Sequence, residues 1–382
     1  MVMWMTLIIK IGIFFINIIY FFIKLLPTRN KITFISRQTD NETMDFKLLR
    51  EEINRRNKNT KVVVLCHKLE GGINSTLKTK IKYIFHMFKQ MYHLATSKVV
   101  VLDSYCMVVS ILKHKKKLTI IQMWHSMGTM KKFGYAVLDL EEGSNSKIAH
   151  AMNMHKNYDY IFASSDAYKE HLASGFNYTT DNILTFPLPR YDLLKSKEYD
   201  KKCKNKIYKT YPTLRKKKNI VYCPTFRKTK NDFIKALEKL IDSVDFTKYN
   251  LVLKLHPLST VRIKKEYEGL IIDNKYSTFD MLSIADYVIS DYSCVIYEAA
   301  VKNIALYFYN YDYDTYVGTR GLALDYYKEL PGVISKNAKD IMKSIEKNNY
   351  DYPKLKKFSD KYIEPSKGAT KNIVDFIFSK ML

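Results

Sequence analysis

Two histidines each follow an apolar stretch that predicts a short buried strand. His125 comes directly after "IIQMW", and His256 comes directly after "LVLKL". Histidine is the side chain whose ordinary pKa lies closest to neutral pH, so both residues have the chemistry of a general base or of a group that stabilises developing negative charge. A lone histidine is more often a hydrogen-bonded structural residue, so the sequence leaves that role open for each.

Hydroxyl, basic and acidic side chains follow the other predicted strands. The positions of interest are Ser165, Arg190, Thr225, Arg227, Ser290, Asp291 and Ser293. Serine and aspartate at a strand-to-helix turn are usually helix N-caps, which is a structural explanation for each residue taken alone. Their shared position is more informative, because ligands of parallel α/β sheets bind beyond the carboxyl ends of the strands.

The stretch "ISDYSCVIYEAA" predicts an anion site at the start of a helix. Residues 290–293 are expected to cap a helix that begins near Cys294, which leaves backbone N–H groups at its first turn for a diphosphate. Glu298, further along that helix, has the reach to bind ribose hydroxyls. Arg227 and His256 are expected to add charge-assisted contacts to the same phosphates.

Short apolar runs that alternate with polar, helix-compatible stretches carry these residues. Continuous apolar runs, as opposed to alternating ones, indicate strands that are covered on both faces, and therefore parallel sheets with helices outside. The first series of predicted strands is Lys31–Ser36, Lys61–Cys66, Lys98–Asp103, Thr119–His125 and Tyr158–Ser165. The second series is Asn219–Thr225, Asn250–Pro257, Gly269–Asn274, Ala285–Asp291 and Ile304–Asn310. The sequence therefore predicts an α/β fold of two doubly wound parallel-sheet domains facing a cleft.

Four segments follow from this organisation. Residues 1–26 form a hydrophobic helix, residues 27–194 an N-terminal Rossmann-like domain, residues 195–218 a lysine-rich linker and residues 219–382 a C-terminal Rossmann-like domain. For the last helix, packing back on the N-terminal domain is an alternative.

The N-terminal segment is almost wholly apolar up to Pro27. It has neither the basic start nor the small-residue cleavage site of a signal peptide. Lys10, Asn17 and Lys24 recur every seven residues, which places them on one stripe of a helix. A helix with one polar stripe suits the membrane interface better than the membrane centre, and a span with snorkelling lysines is the alternative.

Charge and cysteine content indicate partners and compartment. Lysine and arginine number 63 against 38 acidic residues, a net charge of +25. This surplus favours an anionic membrane surface, a nucleic acid or a phosphate-bearing substrate, although a biased genome produces the same composition. The five cysteines are scattered without zinc-ligand spacing, which indicates reduced thiols and a cytoplasmic location.

Several motifs, in order, resemble those of the CDP-glycerol glycerophosphotransferase family of teichoic acid synthesis. They are "WHSMGTMKKFGY", "SSDAYKEHLASGF", "PLPRYDLL", "YCPTFRKT", "LKLHP", "ISDYSCVIYEAA" and "YDYDTYVGTRGLALDYYKELPG", within residues 119–332. The chain departs from the common Trp-His-Gly-Thr-Pro pattern, since Ser126, Met127 and Gly128 follow Trp124 and His125, and it has Glu298 where aspartate is frequent.

The resemblance implies a GT-B-like fold and transfer of glycerol phosphate from CDP-glycerol to a hydroxyl of a lipid-linked saccharide or polyol-phosphate acceptor, with release of CMP. It implies His125 as the general base, and His256 as a second catalytic residue that stabilises diphosphate charge. Donor-binding residues would be Thr225, Arg227, Ser290, Asp291, Ser293 and Glu298. The acceptor side would comprise Trp124, Gly128, Lys131, Ser165 and Arg190. For Lys131, the alternative is a solvated surface lysine without a role in binding.

The expected enzyme is a peripheral or monotopic protein on the cytoplasmic face of the cell membrane, and it needs neither a metal nor a cofactor. Asp312 and Asp314 lie in a tyrosine-rich loop where we expect no metal. A CDP-ribitol donor and a nucleotide-sugar donor are the alternatives within the fold. A basic membrane-bound protein that binds nucleic acid without catalysis is the alternative outside it, but the usual basic-aromatic and zinc modules are missing from the sequence. The oligomeric state stays open.

Overall fold

A computed structural model describes residues 2–68, 76–227, 231–256, 259, 261, 263 and 266–382. Met1, residues 228 and 229 of the "YCPTFRKT" motif, and Pro257 at the end of a predicted strand lie outside the described residues. The chain divides into two compact units. Unit 1 comprises Met1–Ser126, Phe133–Arg190 and Ser366–Leu382, and unit 2 comprises Met127–Lys132 and Tyr191–Pro365.

The strands of the described chain form two sheets in which every neighbouring pair is parallel. In chain order the strands are β1 (Lys31–Ser36), β2 (Lys61–Cys66), β3 (Val99–Leu102), β4 (Thr119–Gln122), β5 (Tyr160–Ala163), β6 (Ile183–Thr185), β7 (Lys218–Cys223), β8 (Tyr249–Leu253), β9 (Leu270–Ile272), β10 (Tyr287–Ser290), β11 (Ala305–Tyr309) and β12 (Val333–Ser335). Unit 1 holds the order β2-β1-β3-β4-β5-β6, and unit 2 holds the order β12-β11-β10-β7-β8-β9. The predicted α/β class with two doubly wound parallel sheets is confirmed.

The helices connect these strands. In chain order they are α1 (Val2–Ile23), α2 (Met44–Arg56), α3 (Leu77–Thr96), α4 (Met107–Ile111), α5 (Ser146–Ala151), α6 (Lys169–Phe176), α7 (Arg190–Leu194), α8 (Lys197–Thr210), α9 (Asn231–Ser243), α10 (Thr278–Met281), α11 (Val295–Val301), α12 (Tyr313–Arg320), α13 (Tyr326–Glu329), α14 (Ala338–Lys347), α15 (Tyr352–Tyr362) and α16 (Ala369–Ser379). Helices between parallel strands cover the sheet faces, which explains why strands such as β1, β3, β8, β10 and β11 are buried along their whole lengths.

Unit 1 is built around β1 and β3, which are buried along their whole lengths. β-branched residues such as Val99, Val100 and Val101 fit a pleated surface covered on both faces. At the far edge of this sheet, Phe162 of β5 and Phe186 pack against Phe376 of α16. The C-terminal helix, for which the sequence left open a return to the N-terminal domain, thus belongs to unit 1.

Unit 2 is built around β7, β10 and β11. Ile220, Leu251, Ile289 and Tyr307 form its core together with the apolar faces of α9 and α14. Both helices carry apolar side chains at helical spacing, so one stripe of each is covered by the sheet.

The sequence did not predict three elements of the described chain. β6 and β12 lie at sheet edges and have three residues each, of which two are apolar, whereas the equally short edge strand β9 is apolar throughout. Residues 195–218, predicted as a linker, mostly form α8, whose N-cap Ser196 accepts a hydrogen bond from Tyr199 N. Cys203 and Ile207 are the buried residues of this helix, so lysines around them masked a narrow apolar stripe.

Helix α1 contacts the rest of unit 1 through polar residues of its stripe. Asn17 Nδ2 donates to Ile111 O at 2.9 Å, Lys113 N donates to Asn17 Oδ1 at 2.8 Å, and Lys24 Nζ donates to Lys113 O at 2.6 Å. The apolar side chains remain outside: Trp4 is 67% exposed, and Phe14, Phe15, Phe21 and Phe22 are also exposed. By length and composition, Trp4–Ile23 is sufficient to cross a membrane.

Candidate active site

His125 lies three residues beyond the end of β4, in unit 1, and is half-buried. Its Nδ1 lies 3.0 Å from Asp103 O. A carbonyl oxygen can only accept, so Nδ1 carries the proton and Nε2 keeps its lone pair. Burial lowers the pKa of His125 below its ordinary value, and the positive charge of Arg190 lowers the pKa further. At neutral pH His125 is therefore an uncharged imidazole with a free basic nitrogen.

Trp124 fixes the turn that presents His125. Its φ of 64° is in the left-handed region, which is costly for a residue with a side chain. Trp124 N donates to Gln122 Oε1 at 3.0 Å, and the indole stacks on Phe133 with ring centroids 4.7 Å apart. The imidazole of His125 packs against the same indole at 4.3 Å. Tertiary packing thus offsets the backbone strain and restricts the orientation of the imidazole.

Arg190 is held by a buried carboxylate. Asp45, at the first turn of α2, accepts from Arg190 N at 2.9 Å, from Nε at 2.9 Å and from Nη2 at 2.5 Å. Both charges of this pair act on the pKa of His125, which Arg190 lowers and Asp45 raises. Arg190 is thus preorganised by Asp45 and contributes positive potential beside the imidazole.

Asp45 and Asp103 were not selected from the sequence. Asp103 is buried, and burial raises its pKa to about 6, although hydrogen bonds from Ser36 and Ser104 oppose the shift. It ends a predicted strand, so the strand-end rule that selected His125 would have found it. Asp45 follows no strand and has no sequence pattern that would select it.

The other three acceptor-side candidates are Ser165, Gly128 and Lys131. Ser165 is buried at the start of a short 3-10 helix, and its Oγ has no hydrogen-bond partner among the described residues. Gly128 and Lys131 belong to the segment Met127–Lys132 of unit 2, whereas His125 belongs to unit 1. Lys131 Nζ lies 5.2 Å above the ring of Tyr316, a cation–π contact inside unit 2.

In unit 2, Thr225, Arg227 and Asp291 form one hydrogen-bonded group. Asp291 Oδ1 accepts from Thr225 N at 2.9 Å and from Thr225 Oγ1 at 2.8 Å, and Asp291 Oδ2 accepts from Arg227 Nη2 at 2.8 Å. Arg227 Nη1 donates to Thr225 O at 2.8 Å. The loop after β7 is thereby tied to the carboxyl end of β10, and the structure brings these three predicted donor residues together.

A second carboxylate completes the coordination of Arg227. Asp312 binds it bidentately, with Nε–Oδ2 at 2.6 Å and Nη2–Oδ1 at 3.1 Å. The Arg227 side chain is only 7% exposed, and Tyr316 lies beneath its guanidinium at 4.6 Å. Burial opposes the charge, but Asp291 and Asp312 outweigh burial and raise the pKa of Arg227. Arg227 therefore acts mainly as a clamp between loops, and direct binding of phosphate by this residue stays a prediction.

The predicted helix-start site lies around α11. Ser290 is buried, and its Oγ donates to Cys223 O at 2.9 Å, so it joins β10 to β7. Ser293 Oγ accepts from Val295 N at 3.5 Å, a long hydrogen bond near the first turn of the helix. Glu298 is half-buried on α11. Of these three residues, Ser293 and Glu298 retain partly accessible side chains.

His256 follows β8 and is exposed, with its ring 5.3 Å from that of Phe226. Lys254, two residues earlier, was not selected from the sequence. It is buried, and its Nζ donates to Asp273 Oδ2 at 2.6 Å and to Tyr276 O at 2.5 Å. These contacts give Lys254 a structural role at the carboxyl end of β8 and leave His256 as the accessible polar group there.

Within the described residues, no group of three or more histidine, cysteine, aspartate or glutamate side chains has the arrangement of a metal site. Asp314, named with Asp312 in the tyrosine-rich loop, pairs with Lys336 at 2.6 Å.

Residues 18–379 match the family model described as CDP-Glycerol:Poly(glycerophosphate) glycerophosphotransferase. The chain belongs to this family. The glycerophosphotransferase family includes teichoic acid primases and polymerases, and this membership confirms the resemblance drawn from the motifs.

Relatives of both donor types are similar to this family member. It is 30% identical over 365 residues to the teichoic acid ribitol-phosphate primase of Bacillus spizizenii, covering 93% of this chain and 92% of that protein. It is 28% identical over 377 residues to the teichoic acid glycerol-phosphate primase of Bacillus subtilis, covering 96% of each. Sequence similarity thus supports a primase or polymerase but does not separate glycerol from ribitol.

The solved wall teichoic acid polymerase TagF has the same fold. In a structure described as soaked with CDPG, it superposes with a TM-score of 0.74 at 21% identity, over 93% of this chain and 90% of that one. This family member therefore shares its architecture with a teichoic acid polymerase.

Proposed function

We propose that this chain transfers glycerol phosphate from CDP-glycerol to a hydroxyl of a lipid-linked saccharide, releasing CMP, in the synthesis of teichoic acid or a related cell-surface polymer. The observation that carries the proposal is the state of His125. In a member of this family, an imidazole whose Nδ1–H is held by Asp103 O and whose Nε2 is free is the expected base for a hydroxyl nucleophile.

The reaction is an in-line displacement at phosphorus. As the acceptor oxygen attacks the phosphorus that bears the glycerol, His125 Nε2 takes the hydroxyl proton, the new P–O bond forms and the P–O bond to CMP breaks. Asp103 O stabilises the resulting imidazolium through the Nδ1–H hydrogen bond. Burial keeps the resting imidazole neutral, and the charge of Arg190, which Asp45 holds in place, adds to this effect.

Unit 2 is assigned the CDP moiety. Backbone N–H groups at the start of α11, with His256, would bind the diphosphate, and Glu298 would bind the ribose. Thr225, Arg227, Asp291 and Asp312 would hold the surrounding loops in a fixed arrangement, so that few backbone degrees of freedom are lost when the donor binds. No cofactor beyond the donor is required by this scheme.

The proposed acceptor and the net charge of +25 support a location on an anionic membrane surface, with α1 as the anchor. Asn17 and Lys24 hydrogen-bond to other parts of unit 1, and Ile9 and Ile13 on the same side of the helix are half-buried. A helix covered along one side by unit 1 is not free to cross the roughly 30 Å of a bilayer core. We therefore infer that α1 lies in the cytoplasmic interface as a monotopic anchor.

Transfer of ribitol phosphate from CDP-ribitol is the second candidate function. The specific observation in its favour is the 30% identity to a ribitol-phosphate primase, against 28% to a glycerol-phosphate primase. The near-complete coverage of both primases supports addition of a first unit over synthesis of a long polymer.

The decisive experiment incubates the purified full chain with CDP-glycerol or CDP-ribitol and a lipid-linked disaccharide acceptor. We expect CMP release that depends on the acceptor, and a lipid product heavier by one or a few glycerol phosphate units. His125→Asn is the matched control for background hydrolysis. Faster turnover of CDP-ribitol would replace glycerol by ribitol, and no turnover of either donor by folded protein would contradict the proposal.

A further inference from the structure

Unit 1 has an exposed apolar face on helix α3, in addition to the one on α1. Five large apolar side chains recur at helical spacing along this helix and are between 41% and 73% exposed: Leu77, Ile81, Ile84, Phe85 and Phe88. We call these five residues the α3 face. Tyr83, Gln90, Met91 and Leu94 of the same helix are buried, so the helix is seated on unit 1, whereas the α3 face has no cover within the described chain.

Such a face is unusual on a soluble surface. Single exposed apolar residues are common, but contiguous exposed apolar patches mark sites of interaction with proteins or membranes. The spacing of four, three, one and three residues along a helix brings all five side chains onto one side, where they form a continuous strip. The α3 face therefore requires an occupant.

The charges beside the strip indicate which occupant. Lys78, Lys80, Lys82 and Lys89 are exposed on the same helix, and α3 contains no acidic residue. A helix with an apolar side, lysines flanking it and no acidic residue is typical of a segment that lies in the headgroup region of an anionic bilayer. A protein partner would need an apolar groove with an acidic rim, whereas an anionic leaflet supplies both components without further assumptions.

Continuity with α1 supports the same occupant. Helix α1 packs on α3, and its own exposed side chains include Trp4, Phe14 and Phe22. Both helices belong to unit 1. When α1 lies in the membrane interface, α3, which packs against α1, is brought close to the lipid.

We propose that the α3 face is a second membrane-docking surface, which inserts its apolar side chains into an anionic leaflet next to α1. It extends the membrane attachment assigned above, and it does not depend on which alditol phosphate is transferred. Two contacts on one rigid unit would fix the orientation of that unit on the bilayer, which a single helix cannot do.

The first test measures vesicle binding of the full chain by sedimentation against increasing lipid, with vesicles of equal parts phosphatidylglycerol and phosphatidylcholine. Ile84→Ser/Phe85→Ser should lower the partition coefficient by about tenfold or more, since each side chain loses much of its transfer from water. The matched control, Leu140→Ser/Tyr352→Ser, removes two exposed apolar side chains elsewhere and should bind like the parent. Equal partitioning of the α3 variant and the parent would overturn the proposal.

A charge variant tests the electrostatic part. Lys78→Glu/Lys82→Glu should weaken binding at low salt more than at high salt, because counterions screen the attraction. Lys343→Glu/Lys354→Glu changes the charge by the same amount in unit 2 and should have a smaller effect. Equal effects of the two variants would mean that the lysines of α3 act only through the net charge of the protein, which would contradict the proposal.

A direct reporter separates lipid contact from self-association. In a Trp4→Phe background, which retains Trp124 as a common signal, the fluorescence added by Phe85→Trp should be quenched by lipids brominated on their acyl chains, whereas that added by Leu140→Trp should not. Light scattering of the same proteins in solution completes the test. A parent dimer that Ile84→Ser/Phe85→Ser converts to a monomer, with vesicle binding unchanged, would identify the α3 face as a subunit interface and overturn the membrane assignment. None of these readouts uses turnover, so failure of the proposed reaction would be visible separately.

Discussion

Replacement of His125 by asparagine separates catalysis from structure more sharply than alanine does. The amide nitrogen of asparagine occupies nearly the position of Nδ1, so it retains a donor for Asp103 O, a hydrogen bond worth about 1 kcal/mol. What it loses is Nε2, and with it the base. We expect turnover to fall by about 10²–10⁴-fold, which corresponds to roughly 3–5 kcal/mol of transition-state stabilisation.

The expected structural cost is small. The main loss is the contact of the imidazole with Trp124 at 4.3 Å, worth about 0.5–1 kcal/mol, or a few degrees in melting temperature. His125→Gln is the complementary variant, because its amide falls near Nε2 and leaves Asp103 O without its donor. It should be as inactive as His125→Asn and less stable.

The assay is CMP release under saturating donor and acceptor, with melting temperature and CDP-glycerol affinity measured on the same samples. In the parent, burial lowers the pKa of His125 below its ordinary value of 6.5, so activity should persist below pH 6.5 and decline only as the imidazole is protonated at lower pH. The residual activity of His125→Asn should lack this acidic limb. A folded His125→Asn protein with turnover within threefold of the parent would refute the assignment of His125 as base.

Three further predictions concern the donor loops, acid stability and metal. Arg227→Ala should lower the free energy of unfolding by about 3–5 kcal/mol, because Asp291 and Asp312 lose their shared buried cation, and Asp312→Asn should lower it by less. Urea unfolding measures both changes. Losses under about 1 kcal/mol in both variants would contradict the role of Arg227 as a clamp between loops. Burial lowers the pKa of His155 to about 3, so the free energy of unfolding decreases as pH falls below 6.5, by about 2 kcal/mol at pH 5 from this residue. His155→Asn, which tolerates the φ of 62°, should reduce the drop in melting temperature between pH 7 and pH 5. An unchanged drop would exclude His155 as the cause. Turnover in excess EDTA should stay within twofold of the untreated enzyme, and a loss that Mg²⁺ restores would establish a metal requirement.

Much of the fold could be predicted from local pattern. Continuous apolar runs identified the strands from β1 to β5 and from β7 to β11, since a strand buried on both faces needs apolar residues at every position. The edge strands β6 and β12 were missed because each has only two consecutive apolar residues, whereas β9, which is equally short, has three. Helix α8 was missed because lysines on its exposed side dominate its composition.

The sequence by itself determined the class of fold, the family, and His125 as the candidate base, because each depends on residue types in a fixed order along the chain. Only the tertiary structure decided which charges neutralise each other. Asp45 pairs with Arg190 across 145 residues, and Asp312 with Arg227 across 85. Ion pairing and burial depend on distances in space, which no local pattern encodes. For the same reason, the tautomer and lowered pKa of His125 come from its packing and from the Asp103 carbonyl, whereas the sequence supplied only the imidazole.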